Sequence, residues 1–111
     1  MPNSSKRKGD RAELEVQGLW RDHCGVPARR ALGAGRLDDV GDIHAVPHTA
    51  VSVVNWRDVA AAVRAKPKEV DAQAENAGMP FACTFVRLKG GDYRVVMTPE
   101  QFFAIWREAV N

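Results

Sequence analysis

An aspartate at the mouth of one short apolar run, with a second run close behind it, is one way to hold a divalent cation. Asp42 stands in such a place. The stretch GAGRLDDVGDIHAVPHTAVSVVNW, residues 33–56, joins a glycine-hinged acidic loop to the runs DIHAV and AVSVV across Pro47 and His48. Their alternation predicts a β-hairpin. Asp42 and His44 are two apart and so share one face of the first strand. With Asp38 and Asp39 before them and His48 past the turn, an oxygen-rich Mg²⁺ site or a mixed His/Asp site can be drawn. Gly41 directly precedes Asp42 and lets backbone or ligand come close. A more distant carboxylate, Glu13, borders the helical stripe Ala12, Val16, Leu19, Trp20 and His23. It is either a solvated edge residue or a ligand aimed into a cleft from a rigid mount.

Other chemistries have less support. Cys24 and Cys83 show no CxxC spacing and read as small buried residues in a reducing compartment. No Walker-type phosphate loop, complete dinucleotide fingerprint or GxSxG nucleophile motif occurs. Basic residues are more suggestive. Lys6, Arg7, Lys8 and Arg11 stand against Asp10 alone at the start of the chain. Arg29, Arg30 and Arg36 surround the glycine loop, Lys66 and Lys68 follow the hairpin, and Arg87 and Lys89 come late. Basic residues on several elements can track a phosphate backbone, or simply make a mixed-charge surface.

The elements that must position these groups can be read in order. With 111 residues, 45% of them hydrophobic, the chain is expected to form one domain, residues 9–111, behind a basic flexible arm at 1–8. The net charge of +2 is far from a histone-like balance. No apolar run approaches a membrane span, and no secretion signal is visible, so a cytoplasmic protein is expected. A helix is predicted from about Gly9 to Cys24, ended by Gly25 and Pro27, then an extended segment over 26–32 and the hairpin to about Asn55. A second helix follows Trp56, broken near Lys66-Pro67 and capped at Gly78. Strands Phe81 to Leu88 and Tyr93 to Met97 flank the turn Lys89-Gly90-Gly91-Asp92. The last helix has Thr98 at the N-cap, Pro99 at N1 and Gln101 closing a capping box. Its stripe Phe102, Ile105, Trp106 and Ala109 is expected to be core. The order α-β-β-β-α-β-β-α predicts a mixed α/β domain, a sheet covered by helices.

Taken together these residues resemble the Holliday junction resolvase-like nucleases of archaea and phages, within the PD-(D/E)XK superfamily. The likeness begins at Lys8-Gly9 and Glu13, similar to an opening K-G-x-x-x-E on helix one. It continues through ARRALGAGRLDDVGDI, similar to the family's basic strand, small-residue loop and metal-binding aspartate. AENAGMPFACTFVRLKGGDYRVVMTPEQF then follows the expected helix, paired strands and closing helix, so the resemblance covers roughly residues 6–107.

What the resemblance implies is a restriction-endonuclease-like mixed β-sheet flanked by helices, a homodimer, and a Mg²⁺- or Mn²⁺-dependent endonuclease acting on four-way junctions or duplex DNA during recombination. Glu13 and Asp42 would be the metal-binding and catalytic carboxylates, since the ion polarises the phosphate and lowers the pKa of the attacking water. Lys6, Arg7, Lys8, Arg11, Arg29, Arg30 and Arg36 would grip DNA. The family's E-x-K, however, reads Ser52-Val53-Val54 here, so one carboxylate ligand and the lysine are missing. Three readings stay open. In the first, Glu69, Asp71 or Glu75 with Lys66, Lys68 or Arg57 rebuilds the site from the following helix; in the second, the chain is a non-cleaving module that binds DNA or a protein partner; in the third, positions 52 and 54 carry substitutions.

Overall fold

The computed structural model describes residues 4–25, 29–30, 43–44 and 48–110. Eight elements follow one another: α1 Ser4–Cys24, β1 Arg29–Arg30, β2 Ile43–His44, β3 Thr49–Val54, α2 Val59–Asn76, β4 Phe81–Arg87, β5 Tyr93–Val96 and α3 Pro99–Ala109. The five strands form one sheet in the order β1-β2-β3-β4-β5, and β3 to β5 supply most of its pairing. β3 and β4 run parallel, with Thr49 beside Phe81 and Val54 beside Val86, while the other neighbours are antiparallel. A parallel pair needs a crossover, and α2 supplies it. The mixed α/β class expected of the sequence is therefore present.

Side chains alternate across this sheet. Val51 and Cys83 pack with Val16 of α1, joined by Leu19, Trp20, Val53, Phe85, Tyr93 and Met97. Ala50 and Ala82 pack with Val70 and Ala74 of α2 on the opposite face, with Met79 beside them. The three alanines let the α2 backbone come close to the strands. The two helices thus cover opposite faces of the β3–β4 pair.

The helices differ from the sequence expectations at several points. α1 starts at Ser4, so Lys6, Arg7 and Lys8 belong to its first turns and not to a flexible arm. Lysine and arginine are good helix formers, and continuity with a packed helix outweighs the roughly 1 kcal/mol cost of Gly9. α2 runs unbroken through Pro67. That proline is buried against the fold, and its carbonyl accepts a hydrogen bond from Gln101 Nε2 at 2.8 Å, which ties α2 to α3 at this point. Asp58, overlooked in the sequence, caps α2 by accepting from the Ala61 N–H at 3.0 Å. The predicted end is present: Gly78 has φ +68, and Met79 and Gly78 donate to the carbonyls of Ala74 and Glu75, a Schellman arrangement.

α3 has the predicted capping box, with Gln101 N–H donating to Thr98 Oγ1 and Thr98 N–H donating to Gln101 Oε1. Its expected core stripe is not core. Phe102 and Trp106 are 52% and 54% exposed, and the helix residue that is buried is Gln101. The bond from Gln101 to Pro67 fixes the roll of the helix, turning Gln101 and Ile105 inward and the neighbouring aromatic rings out.

Candidate functional site

The parallel pair ends at Val54 and Arg87, and beyond those carboxyl ends lie the turn into α2 and the β4–β5 hairpin. In open α/β sheets this is the edge at which ligands bind. A cleft of about 460 Å³ opens there, lined by Lys8, Asn55, Trp56, Arg57, Val59, Arg87, Leu88, Lys89 and Gly90. Its four charged lining residues are all cations, brought from α1, the α2 entry turn, β4 and the hairpin.

Each wall is fixed by ordinary means. Asn55 Nδ2 donates to the Lys8 carbonyl at 3.3 Å and ties the first turns of α1 to the end of β3. Lys66 Nζ stands 5.2 Å from the Trp56 ring centre and 2.8 Å from Glu69 Oε2, so the indole is braced by an anchored cation. Gly90 and Gly91 both have φ +96, a backbone that lets the hairpin turn directly behind Lys89.

Arg87 links the cleft to α1. Its Nε donates to Glu15 Oε1 at 2.8 Å, and Tyr93 Oη donates to the same oxygen at 2.6 Å. Arg11 approaches the other carboxylate oxygen at 3.5 Å. The bonds from Arg87 and then Tyr93 hold the Glu15 carboxyl below its ordinary range. Burial, followed by the bond to Glu15, pushes the Tyr93 phenol up, and Glu15 pushes the Arg87 guanidinium up. Glu15 therefore offsets part of the charge of Arg87, while Lys8, Arg57 and Lys89 have no carboxylate within ion-pair range among the described residues. Among the described residues, the cleft keeps a positive excess.

The sequence-derived site is distributed differently. Asp42 and Arg36 lie outside the described residues, as do Asp38 and Asp39. Glu13 is half-buried on α1 and engaged with neighbouring groups. Ser52 and Val54, at 5% and 2% exposure, belong with Ala50 to the α2 face of the sheet, opposite α1. The two positions aligned with the family's glutamate and lysine therefore do not face the helix that carries Glu13. On α2, Glu69, Asp71 and Glu75 turn to solvent, Lys68 is exposed, and Lys66 pairs with Glu69. Among the described residues no group of three or more histidine, cysteine, aspartate or glutamate side chains is arranged to hold a metal ion.

Of the basic residues, Lys8 enters the cleft; Arg7 and Arg11 are exposed on α1, where Lys6 also lies, and Arg29 and Arg30 pair with His44 and Ile43 in β1. Glu15, Tyr93, Asn55 and Trp56 were missed. Glu15 lies about 200° round the helix from Glu13; its i,i+4 spacing to Arg11 was the local cue, while Arg87 and Tyr93 come from the far end of the chain. The cue available for Trp56 was a lone aromatic beside Arg57 at the end of a strand.

Comparison with known protein families, curated proteins and solved structures finds no significant match. No helix of the described residues is long and apolar enough to cross a membrane.

Proposed function

We propose that this is a cytoplasmic DNA-binding protein of the resolvase-like nuclease type that grips the phosphate backbone through the basic cleft at the carboxyl edge of β3 and β4. One observation carries the reading: Lys8, Arg57, Arg87 and Lys89, from four separate segments, converge on a single cleft. Convergent cations with few local counter-charges suit a polyanion better than a small neutral ligand. The missing E-x-K and the inward-facing Ser52 and Val54 favour binding over cleavage.

The test uses a fluorescently labelled four-way junction and a linear duplex at low salt, each in EDTA, Mg²⁺ and Mn²⁺. Binding in EDTA that falls by at least about ten-fold in the Arg57→Ala/Lys89→Ala double variant supports the reading. Absence of binding to both DNAs overturns it. Metal-dependent nicking that disappears in Asp42→Ala and in Glu13→Ala would assign cleavage to the two carboxylates that the resemblance implies.

A second reading, an interaction surface for a protein, rests on α3. Phe102, Phe103 and Trp106 are exposed together, with the two phenylalanine ring centres 5.9 Å apart. The homodimer implied by the resemblance would give such a face a use. Sedimentation of the chain against a Phe103→Ser/Trp106→Ser variant distinguishes a dimer from a monomer.

A further inference from the structure

The cleft is lined by one aromatic side chain, which phosphate binding does not use. Trp56 is 42% exposed and stands among Lys8, Arg57 and Lys89 on the cleft wall. The ring is held in position. Lys66 sits over it, fixed in turn by Glu69, and the residues on both sides of it are anchored: Asn55 by the Lys8 carbonyl, and Asp58 by its cap on α2. The ring is a braced platform and not a loose surface residue.

We propose that the cleft takes an unpaired nucleotide, its base stacked on Trp56 and its phosphates on Lys8, Arg57 and Lys89. This inference rests on the DNA-binding reading above and narrows it to a substrate class. In a duplex the faces of the bases are covered by their neighbours, so an aromatic platform can act only on a base that has left the stack. Cations beside an aromatic ring are the combination that single-stranded nucleic acid uses, because every base has a π-face and every linkage a phosphate. The volume, about 460 Å³, lies in the range of small-ligand pockets and suits one nucleotide. Strand ends, gaps and branch points supply such nucleotides.

Fluorescence anisotropy with a labelled oligothymidine single strand and a blunt duplex of equal length, in EDTA at low salt, tests this on the whole chain. Trp56→Ala is expected to weaken single-strand binding about ten-fold while changing duplex binding less than about two-fold. Trp56→Phe, which keeps an aromatic face, is expected to restore most of the loss. A thermal melt of each variant shows that it is folded. Equal losses on both DNAs, or single-strand binding unchanged in Trp56→Ala, would overturn the stacking proposal while leaving the DNA-binding reading in place. A wild-type chain that binds neither DNA overturns both.

Discussion

Arg87 donates its Nε–H to Glu15 Oε1 at 2.8 Å, joining β4 to α1 across 72 positions of sequence. Tyr93 Oη reaches the same oxygen from β5, so one carboxylate pins a helix to two strands at the edge of the basic cleft. Neutralising it by Glu15→Gln is expected to cost about 1 kcal/mol at neutral pH, a modest figure because water reaches part of the side chain. The pH dependence is specific. A carboxyl held below its ordinary value of 4.5 contributes stability that is fully present above that value and is lost as pH falls through the folded pKa. Denaturant melts of the two proteins should therefore converge as pH falls below 4.5 and through the lowered folded pKa; a gap that stays constant with pH would remove the ionic part of the argument. Tyr93 acts in the opposite direction. Its raised pKa contributes stability below pH 10.0 that is lost as pH rises through the folded value.

Ser52→Glu with Val54→Lys restores the motif on paper, but the sheet places both side chains in the buried layer under α2. Charges there have to be desolvated, and the double variant is expected to lose at least about 3 kcal/mol of stability. Chemical denaturation read by far-UV circular dichroism measures this. A variant as stable as wild type, with metal-dependent nicking gained, would show that these positions reach the site after all.

The two faces of β3 show how far the sequence could be read. Its strand character, the β4–β5 turn, the Gly78 cap and the Thr98–Gln101 box were legible because each is local, a matter of alternation or of a residue type at a fixed offset. Which face of β3 meets α1 was not, because register depends on partners thirty residues away. The same holds for the cleft. Arg87 and Lys89 were recognised as basic, but their meeting with Lys8 depends on how α1 lies on the sheet. Pro67 was misread because a local rule was overridden by a contact with α3.

The two cysteines should behave differently. Cys24 is exposed and Cys83 buried, and burial pushes the Cys83 thiol up to about 12 from 9.0. A thiol that resists ionisation is a poor nucleophile. Native protein at pH 8 is expected to react with a thiol-disulfide reagent at one site per chain, and at both only in denaturant. Rapid native reaction of both would show that the core around Val16, Val51 and Cys83 opens readily.

Salt separates the roles of the cleft residues. If Lys89 and Arg57 contact phosphates, each alanine variant should reduce the slope of log affinity against log salt by about one, with little change in which DNA is preferred. Arg87→Ala should do the same and also lower thermal stability, because it releases Glu15. Slopes equal to wild type in both Lys89→Ala and Arg57→Ala would move the phosphate contacts elsewhere on the surface.

A buried amide matters more to α3 than its exposed aromatic residues. Gln101 completes the capping box with Thr98 and donates to the Pro67 carbonyl at 2.8 Å, so it fixes both the start of the helix and its attachment to α2. Gln101→Ala keeps the bond from the residue 101 N–H to Thr98 Oγ1 but removes the reciprocal half of the capping box and the donor to the Pro67 carbonyl, an expected loss of about 2 kcal/mol. Trp106→Gln removes a ring that is 54% exposed and is expected to cost less than about 1 kcal/mol. Unfolding midpoints of the two variants, measured side by side at a dilution low enough to exclude self-association, decide the order. If Trp106→Gln proves the more damaging, the outward roll of α3 is wrong, and the stripe Phe102, Ile105, Trp106 and Ala109 is core as its spacing predicts.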